Sequence, residues 1–322
     1  MNAIEVQGLR REFPGDVVAV DDIDLAVQRG EIFGVLGPNG AGKTTMVRML
    51  TTLLRPTAGE GTVAGFDIYR EQREIRSVIG VALQEAGLDP IATGRELLTV
   101  QAQLFGIGSG EAKRRAQELL ELVGLVEAGD RRIKTYSGGM KRRLDLASAL
   151  VHQPQVLFLD EPTEGLDPAS RLTLWQEVER LNRELGVTVL LTTHYLEEAD
   201  RLADRLVIVD RGRIVADGTP AALKAAIGGD VVTVSVDAAH RDEAIAALRR
   251  LGGLKEIRSD ATGLTLFVED GSTFVADVIR SLDAAAIPIG SVAVARPSLD
   301  EVFLRATGSR LEGAESPEEE AS

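Results

Sequence analysis

The stretch GPNGAGKTT, Gly37–Thr45, decides the fold. It matches the pattern G-x-x-x-x-G-K-[ST], and its surroundings are those the pattern requires. An apolar, strand-like run, Ile32–Leu36, precedes it, and TTMVRML, with helical character, follows it. Gly37, Gly40 and Gly42 let the backbone wrap a polyphosphate and turn its N–H groups inward. Pro38, Asn39 and Ala41 complete the wrapped loop. The helix that begins near Thr44 and Thr45 adds positive partial charge at its N-terminus. Lys43 can reach the β- and γ-phosphates of a nucleotide, and the Thr44 hydroxyl can ligate Mg²⁺. By itself this loop specifies a nucleotide binder and no more.

Working outward, strand-like and helix-like segments alternate from residue 1 to about 225. Expected strands are Ile4–Leu9, Ala19–Val27, Ile32–Leu36, Gly61–Val63, Val78–Leu83, Val156–Asp160, Thr188–Thr192, Arg205–Val209 and Arg213–Asp217. The uninterrupted apolar runs Ile32–Leu36, Val156–Leu159 and Val189–Leu191 predict strands buried on both faces, hence a parallel sheet covered by helices. About 88–150 reads as a helical insertion. Within it EAKRRAQELLELVGL carries Ala116, Leu119, Leu120 and Val123 on one face. The segment VLFLDEP, Val156–Pro162, is an apolar strand ending in two carboxylates. Asp160 suits Mg²⁺ held through water. Glu161 suits a general base on the attacking water.

Between these two motifs lies YSGGMKRRLDLASAL, from Tyr136. Ser137 stands where a helix N-cap belongs, and Gly138 and Gly139 leave the backbone bare, which makes a second anion-binding helix terminus. One nucleotide does not need two such termini from one chain, so this one is expected to serve a nucleotide held by another subunit. Arg131, Arg132, Lys134, Lys141, Arg142 and Arg143 surround it. This cluster is read as a solvated face with some electrostatic role in a dimer, with direct service to a triphosphate in trans as the alternative.

On these residues the sequence resembles the ABC ATPase family over about two-thirds of its length. YSGGM resembles the family's signature motif, with Tyr136 and Met140 departing from the usual leucine and glutamine. The resemblance implies a P-loop NTPase cassette of α/β class, with an antiparallel β subdomain and the helical insertion. It implies Gln84 as the glutamine that senses Mg²⁺ and attacking water, His194 as the switch histidine bridging γ-phosphate and Glu161, and Asp167 as a link between the two sites. It also implies Phe13 as the ring stacked on adenine, and Ser137 with Gly139 closing on ATP from the opposite monomer of a head-to-tail homodimer.

A second domain is expected over 230–308, in the order β-α-β-β-α-β of a ferredoxin-like split βαβ. SLDEVFLRATG then forms a short helix capped by Ser298, and 309–322 form an acidic, disordered tail. PSLDEVFLRATG, TYSGGMKRRLDLA and TTHYLEEAD resemble the daunorubicin/doxorubicin-resistance type of exporter ATPase. That resemblance implies an ATP-hydrolysing subunit that powers efflux of a drug or other amphipathic compound through a separate ABC-2-type permease. Other cargo, import, or a non-transport ATP-dependent binding or immunity factor stay open as alternatives. The net charge of −14 argues against a nucleic-acid partner. No cysteine is present, and no apolar run approaches the roughly 20 residues of a membrane helix. The start MNAIEVQGLRREF has neither part of a signal peptide. A soluble protein is expected, held at the cytoplasmic face of the membrane by its permease.

Overall fold

The computed structural model describes residues 2–84, 87–227, 230–259, 263–295 and 298–308. Two compact units divide them, one closing at Pro220 and the other beginning at Ala221. In chain order the first holds β1 (Asn2–Phe13), β2 (Val17–Gln28), β3 (Ile32–Leu36), α1 (Lys43–Leu50), β4 (Ala58–Val63), β5 (Phe66–Asp67), α2 (Gln72–Val78) and β6 (Ile79–Ala82). Then come α3 (Gly94–Leu104), α4 (Ser109–Leu122), α5 (Gly138–Ala149), β7 (Val156–Asp160), α6 (Pro168–Leu185), β8 (Thr188–Thr193), α7 (Leu196–Leu202), β9 (Arg205–Asp210) and β10 (Arg213–Gly218).

The central sheet has the order β10-β9-β3-β8-β7-β6. Its pairs are parallel except β10 on β9. Strand alternation divides the apolar runs between two cores. Ile32, Leu157, Leu159, Val189 and Leu191 face a core shared with α3, α4 and α5. Phe33, Val35, Val156, Phe158 and Leu190 face a core that contains Met46, Val47, Met49 and Leu50 of α1 and the inner face of a second sheet. That sheet is antiparallel, in the order β2-β1-β4-β5. Both faces of the parallel strands are therefore covered, as their unbroken hydrophobicity requires. Ala116, Leu119, Leu120 and Val123 are all buried, as their helical spacing predicts.

The first two strands run longer than the sequence pattern indicates, whereas the strand expected over Val78–Leu83 is shorter, β6 spanning Ile79–Ala82 with Val78 ending α2. β1 continues to Phe13 and β2 starts at Val17, because register shifts along the hairpin interrupt the period-2 alternation that marks a strand. The two-residue β5 carries no pattern of its own and was missed.

The second unit takes in α8 (Pro220–Ile227) from that helix's second residue on, followed by β11 (Val231–Val236), α9 (Arg241–Leu248), β12 (Leu254–Ser259), β13 (Leu264–Val268), α10 (Gly271–Ala284), β14 (Ile289–Ala295) and α11 (Leu299–Thr307). Its antiparallel sheet has the order β12-β13-β11-β14. Chain order and sheet order together are those of the split βαβ arrangement. Val232, Val234, Leu264 and Leu266 pack with Ala244, Leu248, Phe274, Val278 and Leu282 of the two helices. Ser298 caps α11 in a reciprocal box, its hydroxyl accepting from Glu301 N at 3.4 Å and its N–H donating to the Glu301 carboxylate at 3.4 Å. Pro297 and the expected tail, 309–322, lie outside the described residues.

Candidate functional site

At the C-terminal end of β3 the chain turns through Gly37–Gly42 into α1. Gly42 has φ +105, and a β-carbon there would sit 2.2 Å from the Ala19 carbonyl oxygen, so only glycine fits. The loop is anchored at both ends, by Gly37 N donating to Thr193 O (3.2 Å) and by the Ala41 carbonyl accepting from Gly212 N (2.9 Å). Asn39, Gly40, Gly42, Lys43, Thr44 and Thr45 line a cleft of about 290 Å³, together with Ala19, Gln84 and Glu161. Ala41 is buried behind it.

Lys43 is 4% exposed. Its ammonium donates to Gly37 O (2.7 Å) and Pro38 O (3.0 Å) and lies 3.0 Å from Glu161 Oε1. His194 Nδ1 lies 3.3 Å from the other oxygen of the same carboxylate. The His194 imidazole first, and the Lys43 ammonium after it, pull the Glu161 carboxyl down from 4.5 to about 2, against the raising effect of burial. Glu161 therefore stays ionised at neutral pH. Its backbone φ is +47, a left-handed conformation that a side chain keeps only where its surroundings impose it.

Asp160 is 1% exposed. One carboxylate oxygen accepts from Thr44 Oγ1 (3.2 Å) and Thr192 Oγ1 (2.6 Å). The other is buried without a hydrogen-bond partner among the described residues. A buried, ionisable oxygen with no partner beside a threonine hydroxyl and a phosphate cradle is a place a divalent cation fits. Thr192 also accepts from Glu161 N (3.0 Å), so a single hydroxyl ties both carboxylate residues to β8.

Gln84 lines the cleft, but its amide donates to the Glu164 carboxylate at 2.5 Å. Ser137 caps α5 as its position predicts, accepting from Met140 N at 3.2 Å. Ser137, Gly138, Gly139 and Asp167 form a second group. Asp167 caps α6, accepting from Ser170 N (3.0 Å) and Ser170 Oγ (2.6 Å). A β-carbon on Gly139 would stand 2.8 Å from Ser170 Oγ, so the bare α5 terminus rests directly on the Asp167–Ser170 cap. Phe13 does not line the cleft, and its ring carries the Arg11 guanidinium at 4.6 Å.

The basic cluster needs a correction. Arg131, Arg132 and Lys134 are exposed, but Arg142 is buried at 8% exposure and Arg143 is half-buried, donating to Val123 O at 3.0 Å. Charge alone could not separate these, because helical phase decides which side of α5 each arginine takes. One departure in the signature also finds a reason. Tyr136 is buried, its hydroxyl donating to Ala128 O at 2.6 Å. Gly94 makes room for it, since a β-carbon there would lie 2.6 Å from that hydroxyl. Sequence reading missed Thr192, Glu164, Ser170 and Tyr195. The Tyr195 ring lies 4.1 Å from that of His194 and under Arg171 at 4.6 Å. Thr192 stands two residues before the histidine and Tyr195 one after it in TTHY, which was the available signal.

The ABC transporter profile matches residues 20–164, and that of the DrrA1-3-like ATP-binding protein C-terminal domain matches 218–307. The daunorubicin resistance ATP-binding protein DrrA2 of Streptomyces coeruleorubidus is 45% identical over 98% of this chain and 98% of its own. The doxorubicin resistance ATP-binding protein DrrA of Mycobacterium tuberculosis is 45% identical over 95% of this chain and 93% of its own. Among solved structures, a dimeric ATP-binding cassette in a post-hydrolysis state with ADP and Pi is similar, at TM-score 0.62 and 25% identity. That match covers 67% of this chain and 98% of the cassette. Cradle, carboxylate pair and Ser-Gly-Gly helix terminus thus sit in a chain related along nearly its whole length to ATP-driven transport subunits. The chain belongs to the ATP-binding, ATP-hydrolysing proteins of ABC transporters, in the family of the daunorubicin and doxorubicin resistance proteins.

Proposed function

We propose that this chain powers export of a drug or other amphipathic compound through a separate ABC-2-type permease. In this reading it works as a head-to-tail homodimer at the cytoplasmic face of the membrane. The names of its relatives support the export of a drug, and the dimeric cassette supports the dimer. A partner must supply the membrane path, since among the described residues no helix is long and apolar enough to cross a bilayer.

The observation that carries the hydrolytic part is the Glu161 carboxylate, 3.0 Å from Lys43 and 3.3 Å from His194 at the mouth of a glycine-wrapped cleft. Each ATP lies in the cradle Gly37–Thr45 of one monomer, with Phe13 as the platform for adenine. Ser137, Gly138 and Gly139 of the other monomer close on its γ-phosphate through backbone N–H groups and the serine hydroxyl. Glu161 takes the proton of the attacking water. His194 holds Glu161 and the γ-phosphate in line. Asp167 carries the state of one site to the other. Thr44, Asp160 and Gln84 would hold Mg²⁺, which when bound would neutralise charge on the phosphate oxygens. Because each ATP bridges two subunits, it binds the closed dimer better than the open one, and that difference drives the permease.

The test is ATP-dependent accumulation of an anthracycline in inverted membrane vesicles that contain this chain and a candidate ABC-2-type permease. Wild-type protein is expected to support accumulation, and Glu161→Gln and Ser137→Ala to bind ATP without supporting it. Protection against the drug with no permease and no transport would favour sequestration and refute the proposal.

A further inference from the structure

Outside the cleft, one buried guanidinium gathers three segments that border it. Arg142 lies on α5, in the helix that Ser137 caps. Its Nε–H donates to Pro162 O at 2.8 Å, and one terminal nitrogen donates to Asp160 O at 2.9 Å. The other donates to Leu83 O at 2.5 Å and to the Asp145 carboxylate at 3.2 Å. Asp160 and Pro162 flank Glu161, so the carbonyls on both sides of that residue are held by the same side chain. Leu83 directly precedes Gln84.

The Glu161 backbone needs such a hold. At φ +47 it has no intrinsic preference for the conformation that aims its carboxylate at Lys43 and His194. Arg142 fixes this turn from below, and Thr192 fixes it through Glu161 N (3.0 Å). Asp145, one turn further along α5, keeps the guanidinium oriented. A lysine could not reproduce the arrangement, because one ammonium cannot span three carbonyls that a planar, five-donor fork reaches together.

We infer that Arg142 is a positioning residue for hydrolysis. It keeps the Glu161 turn and the backbone before Gln84 in register with the helix whose N-terminus meets the opposite nucleotide. A phosphate that engages Ser137 moves α5, and Arg142 transmits that movement to Glu161 and Gln84. This rests on the roles proposed above for Glu161, Gln84 and Ser137.

The experiment compares full-length wild type, Arg142→Lys, Arg142→Gln and the double variant Arg142→Met/Asp145→Leu. Each is measured for steady-state kcat and KM, binding of a non-hydrolysable ATP analogue, and thermal unfolding. A displaced catalytic group costs about a hundredfold in rate, so kcat per folded molecule is expected to fall by roughly ten- to a hundredfold. Analogue affinity is expected to stay within about threefold, since the cradle is untouched. The double variant replaces a buried ion pair by apolar side chains, which keeps the fold testable if a single substitution does not fold. A kcat within about twofold of wild type in any folded variant overturns the inference. So does failure of all three to fold, which would make Arg142 a residue of stability alone. Glu161→Gln is measured alongside. Turnover in that variant would sink the underlying reading, whereas its silence beside active Arg142 variants would sink only this inference.

Discussion

Glu161→Gln should do more than stop turnover: it should tighten ATP binding. The Lys43 ammonium lies 3.0 Å from Glu161 Oε1, with both side chains buried, at 3% and 7% exposure. A triphosphate in the cradle needs that same ammonium, so carboxylate and phosphate compete for it. Two unit charges at this separation attract by about 5 kcal/mol at an effective dielectric of about 20. Desolvation offsets most of that. Glutamine leaves an amide in place, and Lys43 keeps its bonds to Gly37 O and Pro38 O. The net contribution of the pair is then about 1–2 kcal/mol, and its removal tightens ATP binding by roughly five- to thirtyfold. Turnover falls by roughly a hundred- to ten-thousandfold, the usual contribution of a general base. Titration calorimetry with a non-hydrolysable analogue measures the first effect in both proteins, and phosphate release measures the second. The carboxyl is held at about 2, below its ordinary 4.5. The stability the pair adds is therefore complete above about pH 4.5 and lost only as pH falls toward 2. The stabilisation that the ionised carboxylate confers, read as Tm against the glutamine variant, should shrink as pH falls below about 4.5. Unchanged or weaker analogue binding by a folded Glu161→Gln protein would refute the competition argument.

Three further outcomes follow from other contacts. Tyr136→Phe leaves Ala128 O without its buried donor, and should cost about 1–2 kcal/mol in urea unfolding while leaving ATP affinity unchanged. Burial pushes the Asp145 carboxyl up from 3.8 to about 6, against the lowering effect of Arg142. The folded state then binds the proton more tightly than the unfolded one, so this group's contribution declines as pH rises between those values. Wild type should accordingly lose stability relative to Asp145→Asn over that interval and run parallel to it above, read as Tm against pH. Glu164→Ala frees the Gln84 amide from its 2.5 Å bond, and basal ATPase activity, measured by phosphate release, should rise by up to about fivefold, the equivalent of one exposed hydrogen bond.

What the sequence made legible follows a physical division. The cradle, the carboxylate pair and the Ser-Gly-Gly terminus are local: loop chemistry, a strand end and a helix cap each leave their pattern within a few residues. Ser137 could be assigned as a cap because a cap is a bond between near neighbours. The buried strands were legible for a similar reason, since cover on both faces forces an unbroken apolar run. Arg142 was not legible. Its partners, Leu83, Asp160 and Pro162, lie far from it along the chain, and its neighbours Lys141 and Arg143 have the same charge but a different helical phase. Glu164 reads as one more acidic residue until the fold brings it to Gln84.

Those long-range contacts bear on how one cassette could respond to a nucleotide at all. The helix terminus at Ser137 and Gly139 is not an isolated surface feature. Gly139 lies against Ser170 Oγ, and Ser170 is bonded to Asp167. Five residues along α5 from Ser137, Arg142 bonds the backbone on both sides of Glu161. The helix capped by Ser137 therefore touches both the cap at Asp167 and the turn at Glu161. Close packing transmits displacement rather than absorbing it, so α5 cannot shift without strain at one of these contacts. A cassette built this way need not carry a signal through a flexible relay. In the proposed roles, α5 carries the groups that bind the partner's nucleotide and, through Arg142, contacts the turn after β7 that holds Glu161, so a small rotation of α5 changes both.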